Sequence, residues 1–296
     1  MPVRVLGING NVHDSSVALL EDGRVVYATE EERLNRRKHF GGFPEMALAR
    51  AVEEAGGWEA IDLVVHPWLP WRFYRHELAK NLLRLPGRFF FHLHQLLHYQ
   101  DQMAQYLLIE KRFQEDPRVR RFAHCEHHLG HAASAFLASP FRDAAILTYD
   151  GRGEDTSTVL WAGRGTEITP LRRFRLPHSL GHLYAVVTRY LGYAHDHEEY
   201  KVMGLAAYGR PAYRAWFEEA IQLLPGGGYH IPSSHLEYYR GWAPRMRDLG
   251  VPATDGTDPD QRQKDIAASL QARFEEEEHR RAPGRGSHRR RRRRAP

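Results

Sequence analysis

The stretch Ala144-Ala145-Ile146-Leu147-Thr148-Tyr149-Asp150-Gly151-Arg152-Gly153-Glu154-Asp155-Thr156-Ser157-Thr158-Val159-Leu160-Trp161 reads as a strand, a polar glycine loop and a second strand. Gly163-Arg164-Gly165 then turns the chain, residues 168–174 make a third strand with Pro170 near an edge, and residues 180–192 read as a helix. The same plan opens the chain. Residues 4–9, 15–20 and 25–30 are three strands, with Asp22-Gly23 as the hairpin signal between the second and third. Residues 45–56 follow as an amphipathic helix ending at glycine, and residues 61–66 as a further strand. The first polar loop, Asn9 to Ser16, carries two readings: a cradle of N–H groups and hydroxyls for an anion, or a plain hairpin turn.

Two β-β-β-α units, each with a polar loop after its first strand, place the chain in the α/β class. Facing each other, they make a cleft lined by both loops. That plan resembles the duplicated actin/sugar-kinase/heat-shock-ATPase type, with a nucleotide or metal between the halves and the second half incomplete here. Residues 67–116 are aromatic-rich and helical. Their His92, His94 and His98 do not share one helical face, so the segment reads as a packed insertion. The charge run over residues 30–40 reads as a solvated face. Within residues 198–211, Met203, Leu205 and Ala206 suggest a short buried helix ended at Gly209-Arg210-Pro211, and Lys201 near its start either meets a phosphate or stays on the surface. Residues 212–224 read as helix, 225–262 as loop and 263–275 as helix.

The formal charge of +5 hides a polarity. Nine arginines and no acid or lysine lie in residues 279–296; without them the body holds 33 basic against 37 acidic side chains. The tail, residues 277–296, is expected to be disordered because it has nothing to bury. Three readings of it stand: a phosphate-binding arm for nucleic acid, a localisation or surface patch, or a reading frame translated out of register from a GC-rich gene. The last is preferred, so nucleic acid is not expected as a partner except through this tail. The single Cys125 excludes an internal disulfide, and no apolar stretch approaches the roughly 18 residues that span a bilayer. A soluble, cytoplasmic protein without membrane attachment is expected; the oligomeric state is left open.

Around the quoted stretch, His124-Cys125-Glu126-His127-His128-Leu129-Gly130-His131 leads into the apolar run 132–137. His127 and His131, four apart, share one helical face. They are either a chelating pair or histidines at the polar end of a helix. Asp150 favours chelation, because a carboxylate at the end of a buried strand needs a partner. Two imidazoles and a carboxylate leave positions open for water or substrate, the layout of a catalytic divalent site. His128 points to another face, and Cys125 lacks the surroundings of a reactive thiolate.

Taken together, these blocks resemble the N-terminal domain of the NodU/CmcH carbamoyltransferases. They are Leu6-Gly7-Ile8-Asn9 with His13-Asp14-Ser15-Ser16, and Glu30-Glu31-Glu32-Arg33 with Arg36, Lys38-His39 and Phe43-Pro44. Glu126 to Phe136, Asp150-Gly151-Arg152-Gly153-Glu154 and Glu199-Tyr200-Lys201-Val202-Met203-Gly204-Leu205-Ala206 complete the set. The resemblance implies an O-carbamoyltransferase using ATP and carbamoyl phosphate to form carbamoyl adenylate. The carbamoyl group then passes to a hydroxyl of a small-molecule acceptor such as an antibiotic or a Nod factor. It further implies a divalent metal, iron in a characterised member, on His127, His131 and Asp150, with a fourth ligand from a later aspartate. His13 matches an active-site position and is assigned to acceptor activation. Lys38, Gly151, Gly153, Glu154 and Lys201 are assigned to the nucleotide.

The family-like sequence covers residues 3–275, read as residues 1–276 of a partial N-terminal domain, and stops near Phe274. Full-length members continue for hundreds of residues. The isolated chain is therefore expected to be inactive or strongly impaired and to hold metal weakly. Two other classes compete. A threonylcarbamoyl-tRNA-transferase-like metal ATPase would act on RNA; a non-catalytic fragment would only bind nucleotide or nucleic acid.

Overall fold

Alternation along Arg4–Asn9 (β1) puts Leu6 and Ile8 into a core, where they are at most 1% exposed. This computed structural model describes residues 2–11, 14–82, 103–225, 227–232, 246, 248–253 and 255–281. The chain divides into two compact units. Unit 1 holds residues 1–138 and 153–155; unit 2 holds residues 139–152 and 156–296.

In unit 1, β1 pairs antiparallel with Ser16–Glu21 (β2), which pairs with the edge strand Arg24–Glu30 (β3). On its other side β1 pairs parallel with Leu63–His66 (β4), and β4 with Phe122–His124 (β5). The sheet order is β3-β2-β1-β4-β5. The helix Glu45–Ala55 (α2) buries Ala47, Leu48, Ala51 and Ala55 in the same core as Leu6, Ile8, Val17, Leu19 and Val64. It ends where expected, at Gly56 with φ +84°. Between β4 and β5 run Pro70–Leu82 (α3) and a helix described over residues 103–114 (α4), so the expected insertion is helical where it is described. His92, His94 and His98 lie outside the described residues. The three-residue β5 was not anticipated. It sets the carboxyl ends of three parallel strands, at Asn9, His66 and His124, along one sheet edge, and His127–Leu137 (α5) starts just beyond.

The charge run is not simply a solvated face. It forms the short helix Glu31–Asn35 (α1), whose Glu31 is 3% exposed. That carboxylate accepts the N–H groups of Met46 (3.2 Å) and Ala47 (2.8 Å), capping α2, whose own N-cap Pro44 offers no acceptor.

Unit 2 carries a second antiparallel meander, Asp143–Tyr149 (β6), Thr156–Arg164 (β7) and Glu167–Arg175 (β8), with Pro170 on an edge strand. Leu180–Tyr190 (α6) follows it. The core is built by Leu183 and Val187 of α6, Val202 of Glu199–Ala206 (α7) and Phe217 of Arg214–Ala220 (α8), with Ile266 and Leu270 of Gln261–Arg281 (α9). The helix expected over 212–224 stops at Ala220. Gln222–Leu224 (β9) then pairs with Gly228–His230 (β10) inside the segment expected to be loop. α9 runs to Arg281, five residues past the expected start of the disordered tail; residues 282–296 lie outside the described residues. Among the described residues no helix is long and apolar enough to cross a membrane.

Replacing Glu31 by Ala leaves two helix N–H groups without their acceptor. Urea denaturation is expected to show a loss of about 1–3 kcal/mol, and Glu31→Gln, which keeps one acceptor oxygen, a smaller one. Unchanged midpoints in both variants contradict the cap.

Candidate active site

His127 and His131 occupy the first turns of α5 in unit 1, and their Nε2 atoms stand 3.0 Å apart. Ligand nitrogens around a tetrahedral ion bonded at about 2.0–2.1 Å lie roughly 3.3 Å from one another, so this pair fits a divalent ion. The His127 ring is fixed from behind. Its Nδ1 lies 3.4 Å from the carbonyl of Pro67, which leaves Nε2 for the open side, and Trp68 covers the ring at 4.4 Å between centroids. Trp68 in turn stacks on Tyr106 of α4 at 5.2 Å. His128 is fully buried and takes no part in the pair.

The backbone of the same turn is held by Glu154. Its side chain has no exposure, and Oε1 accepts from the N–H of His127 and the N–H of Leu69, each at 3.0 Å. Burial pushes the Glu154 carboxyl above the usual carboxylate range, and backbone N–H groups, that of His127 first, pull it back. The expected nucleotide contact needs this carboxylate at the surface; the structure puts it inside. Next to it, Asp155 meets the Arg72 guanidinium of α3 at 2.6 Å, and Arg72 also reaches Glu126, the N-cap residue of α5, at 3.5 Å. Gly153 is required by packing, because a Cβ there would sit 2.7 Å from the His128 ring. Leu69, Arg72 and Asp155 were not singled out in the sequence. Their roles come from contacts across at least 50 residues of chain, which leave no local pattern.

Asp150 and Gly151 belong to unit 2, at the end of β6. The Asp150 N–H donates to the Ser157 carbonyl (2.9 Å), and Oδ1 accepts the Gly151 N–H (2.6 Å). Ser179, the N-cap of α6, accepts from His182 N–H and donates to the Gly151 carbonyl at 2.7 Å. Gly181 lets that helix start press on the loop, since its Cβ would lie 2.5 Å from Gly151 N. Lys201 is exposed, salt-bridged to Glu198 at 2.5 Å and set 5.7 Å from the Tyr193 ring centroid. The Glu198 hydrogen bond raises its pKa.

The described residues of the first loop are tied down by hydrogen bonds. Ser15 donates its N–H to Phe40 O (3.0 Å) and its hydroxyl to Gly42 O (2.5 Å), and Asn11 N–H reaches Gly42 O (3.3 Å). The Asp14 carboxylate lies 3.2 Å from His39 Nδ1, next to an exposed Lys38. His13 lies outside the described residues. Beside the histidine pair, Cys125 is held above its ordinary pKa by burial, then by Glu154 and Glu126, as its surroundings in the sequence suggested.

Residues 4–278 match the family model described as Carbamoyltransferase N-terminus. The chain belongs to this family. An uncharacterised Synechocystis protein is 35% identical over 90% of this chain and 46% of its own length. The nodulation protein NolNO of Sinorhizobium fredii is 37% identical over 90% of this chain and 37% of its own. The carbamoyltransferase-family chain thus spans less than half the length of these relatives. A solved Ppx/GppA family protein from Aquifex aeolicus covers 91% of this chain at 12% identity with a TM-score of 0.29, too low to carry a fold argument.

His66, at the end of β4, was missed by motif reading. It is fully buried between Tyr106 and His124, and neither ring nitrogen has a hydrogen-bond partner among the described residues. Burial, then the neighbouring His124 and His127, hold its pKa down to about 3. The unfolded chain takes up this proton near 6.5 and the folded chain only near 3, so stability falls as pH drops through that window. His66 contributes a slope of at most about 1.4 kcal/mol per pH unit. In His66→Phe, urea unfolding measured between pH 6.5 and 4 is expected to lose that part of the slope; parallel slopes contradict it.

Proposed function

We propose that this chain is part of the N-terminal domain of an O-carbamoyltransferase that passes a carbamoyl group from carbamoyl adenylate to a hydroxyl of a small-molecule acceptor, an activity strongly impaired in this chain alone. The observation that carries this reading is the His127–His131 pair converging at 3.0 Å in a member of the carbamoyltransferase N-terminus family. The nodulation relatives favour an acceptor of the Nod-factor kind, and ATP with carbamoyl phosphate are the co-substrates from which the adenylate is made.

In this reading the two units are duplicated actin-type halves. The support is that each opens with an antiparallel meander followed by helix. Asp150 joins His127 and His131 as the third metal ligand. Covalent connection supports that assignment: only Gly151 and Arg152 separate Asp150 from Gly153, which packs on His128 of the same helix. These residues would hold a divalent ion, iron by family resemblance, which when bound would supply positive charge for the phosphate. His13 accepts the proton of the acceptor hydroxyl, whose oxygen bonds to the carbamoyl carbon while the carbon–oxygen bond to phosphate breaks. Lys38 and Lys201 offer charge to the phosphate, and the N–H groups around Gly151 and Gly153 offer donors.

The test is anaerobic: the chain with Fe2+, carbamoyl adenylate and a Nod-factor acceptor, following AMP release. Acceptor-dependent release, slow in this isolated chain, that falls at least a further tenfold in His131→Ala and in Asp150→Asn is expected. Release that ignores the acceptor, or that survives both substitutions, contradicts the reading.

A further inference from the structure

We propose that Glu154 is a positioning residue for the histidine pair rather than a nucleotide contact; this rests on the metal reading above. Four observations in unit 1 converge on it. First, the His127 N–H is the first of the donors at the start of α5 that find no partner within the helix, so it needs an acceptor from elsewhere. Glu154 Oε1 is that acceptor, and it comes from 27 residues away. Second, the same oxygen accepts the Leu69 N–H, so one buried atom joins the start of α5 to the segment 67–69. Third, that segment is the one whose Pro67 carbonyl and Trp68 ring hold the His127 imidazole. Backbone and ring of His127 are therefore referred to one short piece of chain. Fourth, the Arg72–Asp155 ion pair and the Gly153–His128 packing fix the residues on both sides of Glu154.

A metal ligand held only by its own helix swings with the fraying of the first turn. Glu154 removes that freedom: with its N–H bonded, His127 cannot unwind from the helix without leaving its amide unsatisfied and the buried carboxylate oxygen one donor short. The device is a length-sensitive bridge. Shortening it by one methylene withdraws the oxygen by roughly 1.5 Å, too far for either bond.

The experiment uses Co2+ as the probe, titrated by its visible absorption into the chain and its Glu154→Gln, Glu154→Asp and Glu154→Ala variants. Temperatures are those at which each variant's melt shows it folded. Amide hydrogen exchange at His127 is measured in parallel without metal. Glu154→Gln keeps a carbonyl acceptor and is expected to bind Co2+ within threefold of wild type with the His127 amide protected. Glu154→Asp and Glu154→Ala are expected to weaken Co2+ at least tenfold and to lose protection at His127. Where Glu154→Ala does not fold, Glu154→Asp carries the comparison. Wild-type Co2+ affinity in Glu154→Asp overturns the proposal, as does an unchanged His127 exchange rate. Weakened Co2+ in Glu154→Gln with the amide still protected also overturns it, since the residue then acts by charge and not by position. If the wild-type chain takes up no Co2+, the metal reading fails by itself, and loss or retention of His127 protection in Glu154→Asp decides the bridge.

Discussion

One buried carboxylate oxygen, Oε1 of Glu154, accepts two N–H groups that belong to different parts of unit 1. A carboxylate out of water is costly unless its lone pairs are used, and an amide at a helix start is costly unless an acceptor meets it. Oε1 answers both requirements here, while the buried Oε2 has no hydrogen-bond partner among the described residues. The start of α5, the turn before α3 and the excursion 153–155 are thereby locked together, and the two histidines stand on that joint. Glu31 repeats the device on a smaller scale, capping α2 from outside its own helix. At α2 the acid does at long range what a serine or aspartate N-cap does locally, and at α5 it takes the first N–H, which a local cap does not reach.

The parallel part of the sheet explains why the chemistry gathers where it does. Strands β1, β4 and β5 run in one direction, so their carboxyl ends carry Asn9, His66 and His124 to one edge, and α5 starts from the last of them. Ligand sites in open α/β sheets form outside such ends, where helix N-termini and loop amides converge. His66 keeps its ring neutral through burial, so it adds no positive charge behind the His127–His131 pair at neutral pH.

Both meanders were legible, because runs of strand-forming residues and the Asp-Gly or glycine turns between them are local signals. The histidine pair was legible for the same reason: a spacing of four is a property of the helix alone. What escaped is what depends on distant chain. Glu154 sits in a glycine loop and reads as a ligand-facing acid; only the positions of Leu69 and His127 make it a buried bridge. Glu31 hides in a run of charges whose arginines and lysine are exposed, and β5 is too short to show a period. The segment 67–116 reads as an insertion on composition. Its Leu69, Arg72 and Tyr106 nevertheless support the site, which no compositional reading reveals.

The central claim is a metal held by His127 and His131 in a carbamoyltransferase-family chain. X-ray absorption at the iron edge of the anaerobically Fe2+-loaded chain tests it most directly. The account predicts two imidazole scatterers in wild type and one in His131→Ala. An all-oxygen shell without imidazole, or a spectrum identical in the two proteins, would contradict it.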